Sequence, residues 1–134
     1  MTTPPWQAVV AAIWAVIGPP LLIYAATRPR AGRLRAHRVL MIAAVVIELG
    51  VFTSFGFLGD PHPRRDALMA LPIFKVHLAF AITALAGLGW QVASRLAPRL
   101  VAYHRHTGPY VVLIWCLALL TGMYNYVFLY VLAP

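Results

Sequence analysis

A chain of 134 residues has room for one domain. With 62% hydrophobic and only 10% charged residues, it falls outside the composition of soluble globular domains, which are about 45–50% apolar and about 25% charged. Eleven Lys and Arg against three Asp and Glu give a net charge of +8, but the basic residues lie between apolar blocks rather than in a patch interleaved with polar groups. No nucleic-acid partner is therefore expected, and the lipid bilayer is the expected solvent. One cysteine excludes an intrachain disulfide framework and a multi-cysteine metal knot.

Apolar stretches run over residues 6–26, 39–58, 71–93 and 110–132, each close to the ~20 residues a helix needs to cross the hydrocarbon core. The pattern predicts an all-α, integral membrane four-helix bundle, with residues 1–134 as a single domain. The first stretch is expected to be a retained span rather than a secretory signal, because its leader MTTPPWQ carries no Lys or Arg and the basic cluster follows it. Inside it, Gly18-Pro19-Pro20 removes two backbone donors and is expected to kink or locally break the helix. The loop that follows holds Arg28, Arg30, Arg33, Arg35 and Arg38, and the loop before the last span holds Arg95, Arg99 and Arg105. By the basic-loop bias these two loops face the cytoplasm, giving an N-out, C-out chain. Tyr110, Tyr124, Tyr126, Tyr130, Trp6 and Trp90 lie toward span ends as an aromatic belt. On the third span Ala79, Thr83 and Gly87 form a small-residue stripe suited to close helix approach.

Ionisable side chains in or beside a bilayer are costly, so their positions carry the functional information. His37 opens the second span, and His104 and His106 precede the fourth. Spans that start from the same face put His37 and His104 at similar depth, where they could meet across the bundle. His62 in the second loop and His77 about a turn into the third span lie near the opposite face. Facing neutral imidazoles are the arrangement that bis-His haem or a copper site needs; interfacial histidines also serve headgroups or loop carbonyls.

At about 3.6 residues per turn, Met41, Glu48 and Phe55 fall on the face of His37. Glu48 is then a carboxyl near mid-membrane that must be protonated, paired or beside water. It is a candidate proton carrier, a partner to a ligated histidine, or a neutral group hydrogen-bonded between helices. Cys116 and Met123 share a face of the fourth span as soft sulfurs or as apolar filler. Trp115, eleven residues from His104, could wall a flat cofactor or simply pack. Gln91, fourteen residues after His77, is a possible polar neighbour for the His37–His104 pair. No phosphate loop, nucleophile elbow or zinc-protease helix is present, so an assembly factor or an electron carrier is expected ahead of an enzyme.

Three segments, AHRVLM at 36–41, VHLAFA at 76–81 and HRHTGPYVVLIWCLALLTGMYNYVFLY at 104–130, resemble the small four-helix membrane family known as domain of unknown function 420. That family includes cytochrome oxidase maturation proteins of the CtaM type. The resemblance covers roughly residues 30–132 and is most specific in the last segment, where a His stands four before Gly-Pro and is followed by Trp, Thr-Gly and closely spaced tyrosines. It carries the family's histidine positions onto His37, His77 and His104, with His62 matching a further histidine before the third span. Its Trp and Thr-Gly fall on Trp115, Thr121 and Gly122. The resemblance implies a multi-pass protein of a bacterial-type inner (cytoplasmic) membrane that helps to mature a haem-copper terminal oxidase. Its partners would be oxidase subunits or other assembly factors, and its cofactor haem or copper, held by His37 and His104 with His62 and His77 as the second pair. The alternative is a small b-type cytochrome with bis-His haem ligation, in which Glu48 couples a proton. A third possibility is an accessory subunit whose histidines only contact lipid or a partner.

Overall fold

The computed structural model describes residues 3–59 and 62–132. Helix α1 spans Trp6–Thr27, α2 Leu34–Leu58, the short α3 Arg65–Ala70, α4 Pro72–Leu96 and α5 Val101–Tyr126, the last continuing as a π-helical turn over Val127–Val131. Four of these helices are long and apolar enough to cross a membrane, so the chain is a multi-pass helical membrane protein.

Local chemistry sets the boundaries. α1 is followed by a 3-10 turn at Pro29–Ala31 that ends on Gly32 in the left-handed region (φ 72°), and α2 ends on Gly59 at φ 67°. A side chain would strain both positions. Pro72, which needs no helical donor, starts α4 directly after the extended Leu71. α1 is helical straight through Pro19 and Pro20, so the sequence produces no local break there.

Two boundaries differ from the hydropathy reading. The last helix begins nine residues earlier than expected, so His104 and His106 lie within its first turns rather than before it. Helix continues through Pro109, which by lacking an N–H removes one helical bond, while Thr107 Oγ1 donates to the Tyr103 carbonyl at 2.7 Å. The loop between the second and third spans also contains α3, which buries Leu68; six residues are too few to show a hydrophobic period.

α1 and α5 form the central pair. α1 buries Trp14, Ala15, Leu22 and Ala25, and α5 buries Val111, Trp115, Cys116, Ala118 and Leu119. α2 packs on α1, and α4 packs on α5. The two flanking helices present long apolar side chains outward, among them Ile42, Phe52, Ile82 and Val92, as lipid-facing surfaces do. Gly18 permits close approach of α1 to α5, since a Cβ there would lie 2.7 Å from Leu119 Cδ1, and Gly87 does the same for α4, with Val111 methyls 3.0 Å from the added carbon. The expected stripe on α4 holds only at Gly87: Ala79 and Thr83 are exposed. Steps of four residues drift by about 40° each, so positions eight apart leave a common face. The stripe that α4 does bury carries His77, Ala84, Leu88, Gln91 and Ser94, fully or in part.

Candidate functional site

Side chains from the long helices meet at three levels. At the first, His37 on α2 and His104 on α5 bring their rings to 6.5 Å between centroids, with planes 80° apart. His37 Nδ1 lies 2.9 Å from the Ala25 carbonyl of α1, and His104 Nδ1 lies 3.1 Å from the Gln91 carbonyl of α4. Every long helix thus contributes to this level. His106 is exposed, and the ring that approaches His37 is that of His104.

The second level lies eleven residues further along both α2 and α5, about 16 Å at 1.5 Å per residue. There Glu48 Oε2 accepts hydrogen bonds from Trp14 Nε1 at 2.7 Å and Trp115 Nε1 at 2.8 Å. Of the forms open to Glu48, the structure shows a carboxyl held by two indole donors. Trp115, 1% exposed, serves this carboxyl and the core. Trp14 is the residue that sequence reasoning missed as a partner: a lone tryptophan in an apolar span gives no sign that its N–H is committed. Met41, one turn after His37, is partly buried against the core cluster, as is Met123, and Cys116 lies within that cluster. Cys116 and Met123 thus both pack in the apolar core.

The third level carries His77. Its Nδ1 lies 3.1 Å from the Ala118 carbonyl and 3.2 Å from Thr121 Oγ1, and its ring packs on the bare backbone at Gly122, where a Cβ would meet Cε1 at 3.0 Å. Ala118 is fourteen residues from His104, about 21 Å along the helix, so His77 cannot share a ligand atom with His37 and His104. His62 is buried at 8% exposure. Its Nδ1 accepts from the Arg64 backbone N–H at 3.1 Å and its ring meets Tyr130 edge-on at 4.9 Å. His77 thus meets Thr121 on α5, and His62 meets Tyr130 nine residues further on, in the π-helical turn.

The donor set at the first level suits a metal-centred ligand. A histidine that binds metal through Nε2 usually donates Nδ1–H to a carbonyl, and both Nδ1 atoms face backbone carbonyls. Two imidazoles on opposite sides of one metal, at a metal–nitrogen distance of about 2.0 Å, have ring centres about 6 Å apart, against about 5 Å for a tetrahedral pair. The two rings stand 6.5 Å apart between centroids in an edge-on, T-shaped arrangement, a separation close to that of such an opposed pair. Among the described residues no group of three or more His, Cys, Asp or Glu side chains is placed to hold a metal ion. Two hollows lie on other surfaces, one at Trp6, Val10, Ile47 and Ser54 and one at Tyr24, Arg33 and Leu40.

The chain matches no protein-family model, no curated protein and no solved structure.

Proposed function

We propose that this protein holds haem or copper between His37 and His104 within a membrane bundle, and does so as an assembly factor in the maturation of a haem-copper terminal oxidase. The observation that carries the holding role is the convergence of the two rings at 6.5 Å with each Nδ1 against a backbone carbonyl. His37 and His104 would be the residues that hold the group, since imidazole is a common ligand of haem iron and of copper. When bound, either group would supply one-electron chemistry, with His37 and His104 orienting it. α2 and α4 do not pack closely on one another, which makes the side of the bundle between them the entry route. The maturation role, the oxidase partners and the bacterial-type inner membrane rest on the segment resemblance. The basic loops support an N-out, C-out orientation, and Gly18-Pro19-Pro20 supports a kink in α1.

The competing reading is a b-type cytochrome with a permanent bis-His haem, supported by the closeness of the two rings, 6.5 Å apart with planes 80° to one another. An optical spectrum and metal analysis of protein purified from cells replete in haem and copper separates the two. Substoichiometric haem or copper, with assembled oxidase activity reduced on deletion while oxidase subunits are still made, supports the assembly factor. A stoichiometric Soret band that shifts on reduction, with unchanged oxidase activity on deletion, supports the cytochrome.

A further inference from the structure

The corner between α1 and α2 concentrates positive charge and does not neutralise it. Arg28, Arg30, Arg33, Arg35 and Arg38 follow one another closely, while the acidic residues of the chain are Glu48, Asp60 and Asp66, all outside that stretch. Arg33 and Arg35 are exposed and line an open hollow of about 780 Å³ together with Tyr24, Gly32, Val39 and Leu40. Its size is that of a ligand site, roughly 300–1,000 Å³. Gly32 turns the chain here at φ 72°, and nothing lies within 4 Å of an added Cβ, so the space beside it is open. A third guanidinium is fixed next to the hollow. Arg28 Cζ lies 3.9 Å from the centroid of the Tyr24 ring, and the side chain donates from Nε to the Tyr24 carbonyl at 3.2 Å and from Nη2 to Thr27 Oγ1 at 3.2 Å.

We infer that this corner binds one anionic glycerophospholipid, with its phosphate held by Arg33 and Arg35 beside Arg28 and the first carbons of its chains laid on Tyr24, Val39 and Leu40. The lining is graded as such a ligand requires. Val39 and Leu40 follow Arg35 on α2 by about 6–8 Å along the axis, so charge stands at the rim and aliphatic surface lies deeper in the span. A free anion would use the rim and leave the apolar wall idle. Guanidinium forks match phosphate oxygens in pairs, and basic pockets between spans at a membrane face suit acidic headgroups. Because Tyr24 belongs to α1 and the arginine wall to the start of α2, a seated lipid bridges two helices, of which α2 buries only Ala44. The residue after Tyr24 is Ala25, whose carbonyl meets His37, so the lipid also steadies the level of the histidine pair. The site does not depend on that pair holding a ligand.

Native mass spectrometry of the detergent-purified protein, titrated with phosphatidylglycerol and separately with phosphatidylcholine, counts bound lipid and gives its affinity. One phosphatidylglycerol per chain should bind saturably and in preference to phosphatidylcholine. An arginine beside an anionic lipid is worth about fivefold in affinity, so removing both Arg33 and Arg35 as Arg33→Gln with Arg35→Gln should weaken binding by about twentyfold. Arg95→Gln with Arg99→Gln removes the same charge from exposed positions at the end of α4 and the turn after it. Screening at that distance should hold its effect below about twofold. Arg33→Gln alone, a loop substitution outside α2, should cost about fivefold and keeps the result readable if the double variant does not fold. Equal weakening by the two pairs, or equal affinity for the two lipids, overturns the proposal by reducing the corner to general basic charge. Displacement of the lipid by inorganic phosphate or by glycerophosphoglycerol at comparable concentration also overturns it, because the apolar wall would then contribute nothing.

Discussion

Glu48 on α2 and Trp115 on α5 are joined by a hydrogen bond of 2.8 Å between helices whose backbones are not closely packed. With Trp14 at 2.7 Å on the same oxygen, this carboxyl ties α1, α2 and α5 together at the middle of the bundle. α2 buries only Ala44, so polar contacts at Glu48 and His37 have an unusual share in fixing its position.

Replacing Glu48 by Leu orphans two indole N–H groups, whereas Gln keeps an acceptor oxygen in place. Glu48→Leu should destabilise the detergent-solubilised protein by about 1–3 kcal/mol, and Glu48→Gln by clearly less. Unfolding in a graded denaturing detergent gives both values. A double-mutant cycle with Trp115→Phe should show that the Trp115 and Glu48 effects are coupled.

Glycine replacements should divide by what surrounds them. At Gly87 the added methyl meets both γ-methyls of Val111 at 3.0 Å, and a β-branched side chain in a helix has little rotameric freedom to move aside. Gly87→Ala should cost about 1–3 kcal/mol. Gly50 has nothing within 4 Å of an added Cβ, so Gly50→Ala should be neutral or stabilising by up to about 1 kcal/mol. Thermal unfolding of the two variants side by side checks the contrast.

The orientation can be read with single cysteines, because the native Cys116 is buried and can be replaced by Ser. In intact cells a membrane-impermeant maleimide should label Thr3→Cys directly and label Ala31→Cys only after permeabilisation. The reverse pattern would place the histidine pair at the opposite face.

The spans and the His37–His104 encounter were legible in the sequence for simple reasons. Hydropathy reports lipid contact directly, and two residues near the starts of parallel helices must share a depth. The equal spacing of eleven from His37 to Glu48 and from His104 to Trp115 was also readable, and it is what stacks the two levels. Less was legible where a partner on another helix decides the outcome. Trp14 became a carboxyl donor only through the α1–α2 packing. The start of α5 was hidden because Arg99, His104, Arg105 and His106 interrupt the apolar run, although the helix continues through them. The stripe on α4 failed at Ala79 and Thr83 because its phase, set by His77, Ala84 and Leu88, is fixed by α5 and not by local composition.

The central claim is most directly tested by titrating purified, ligand-free protein with hemin and, separately, with Cu(I), for wild type, His37→Ala, His104→Ala and His77→Ala. The account predicts saturable binding of at least one of the two at one equivalent per chain, lost in His37→Ala and in His104→Ala and retained in His77→Ala, whose ring lies about 21 Å away along the bundle. Binding that survives both of the first two substitutions, or its absence in folded wild type, would contradict it.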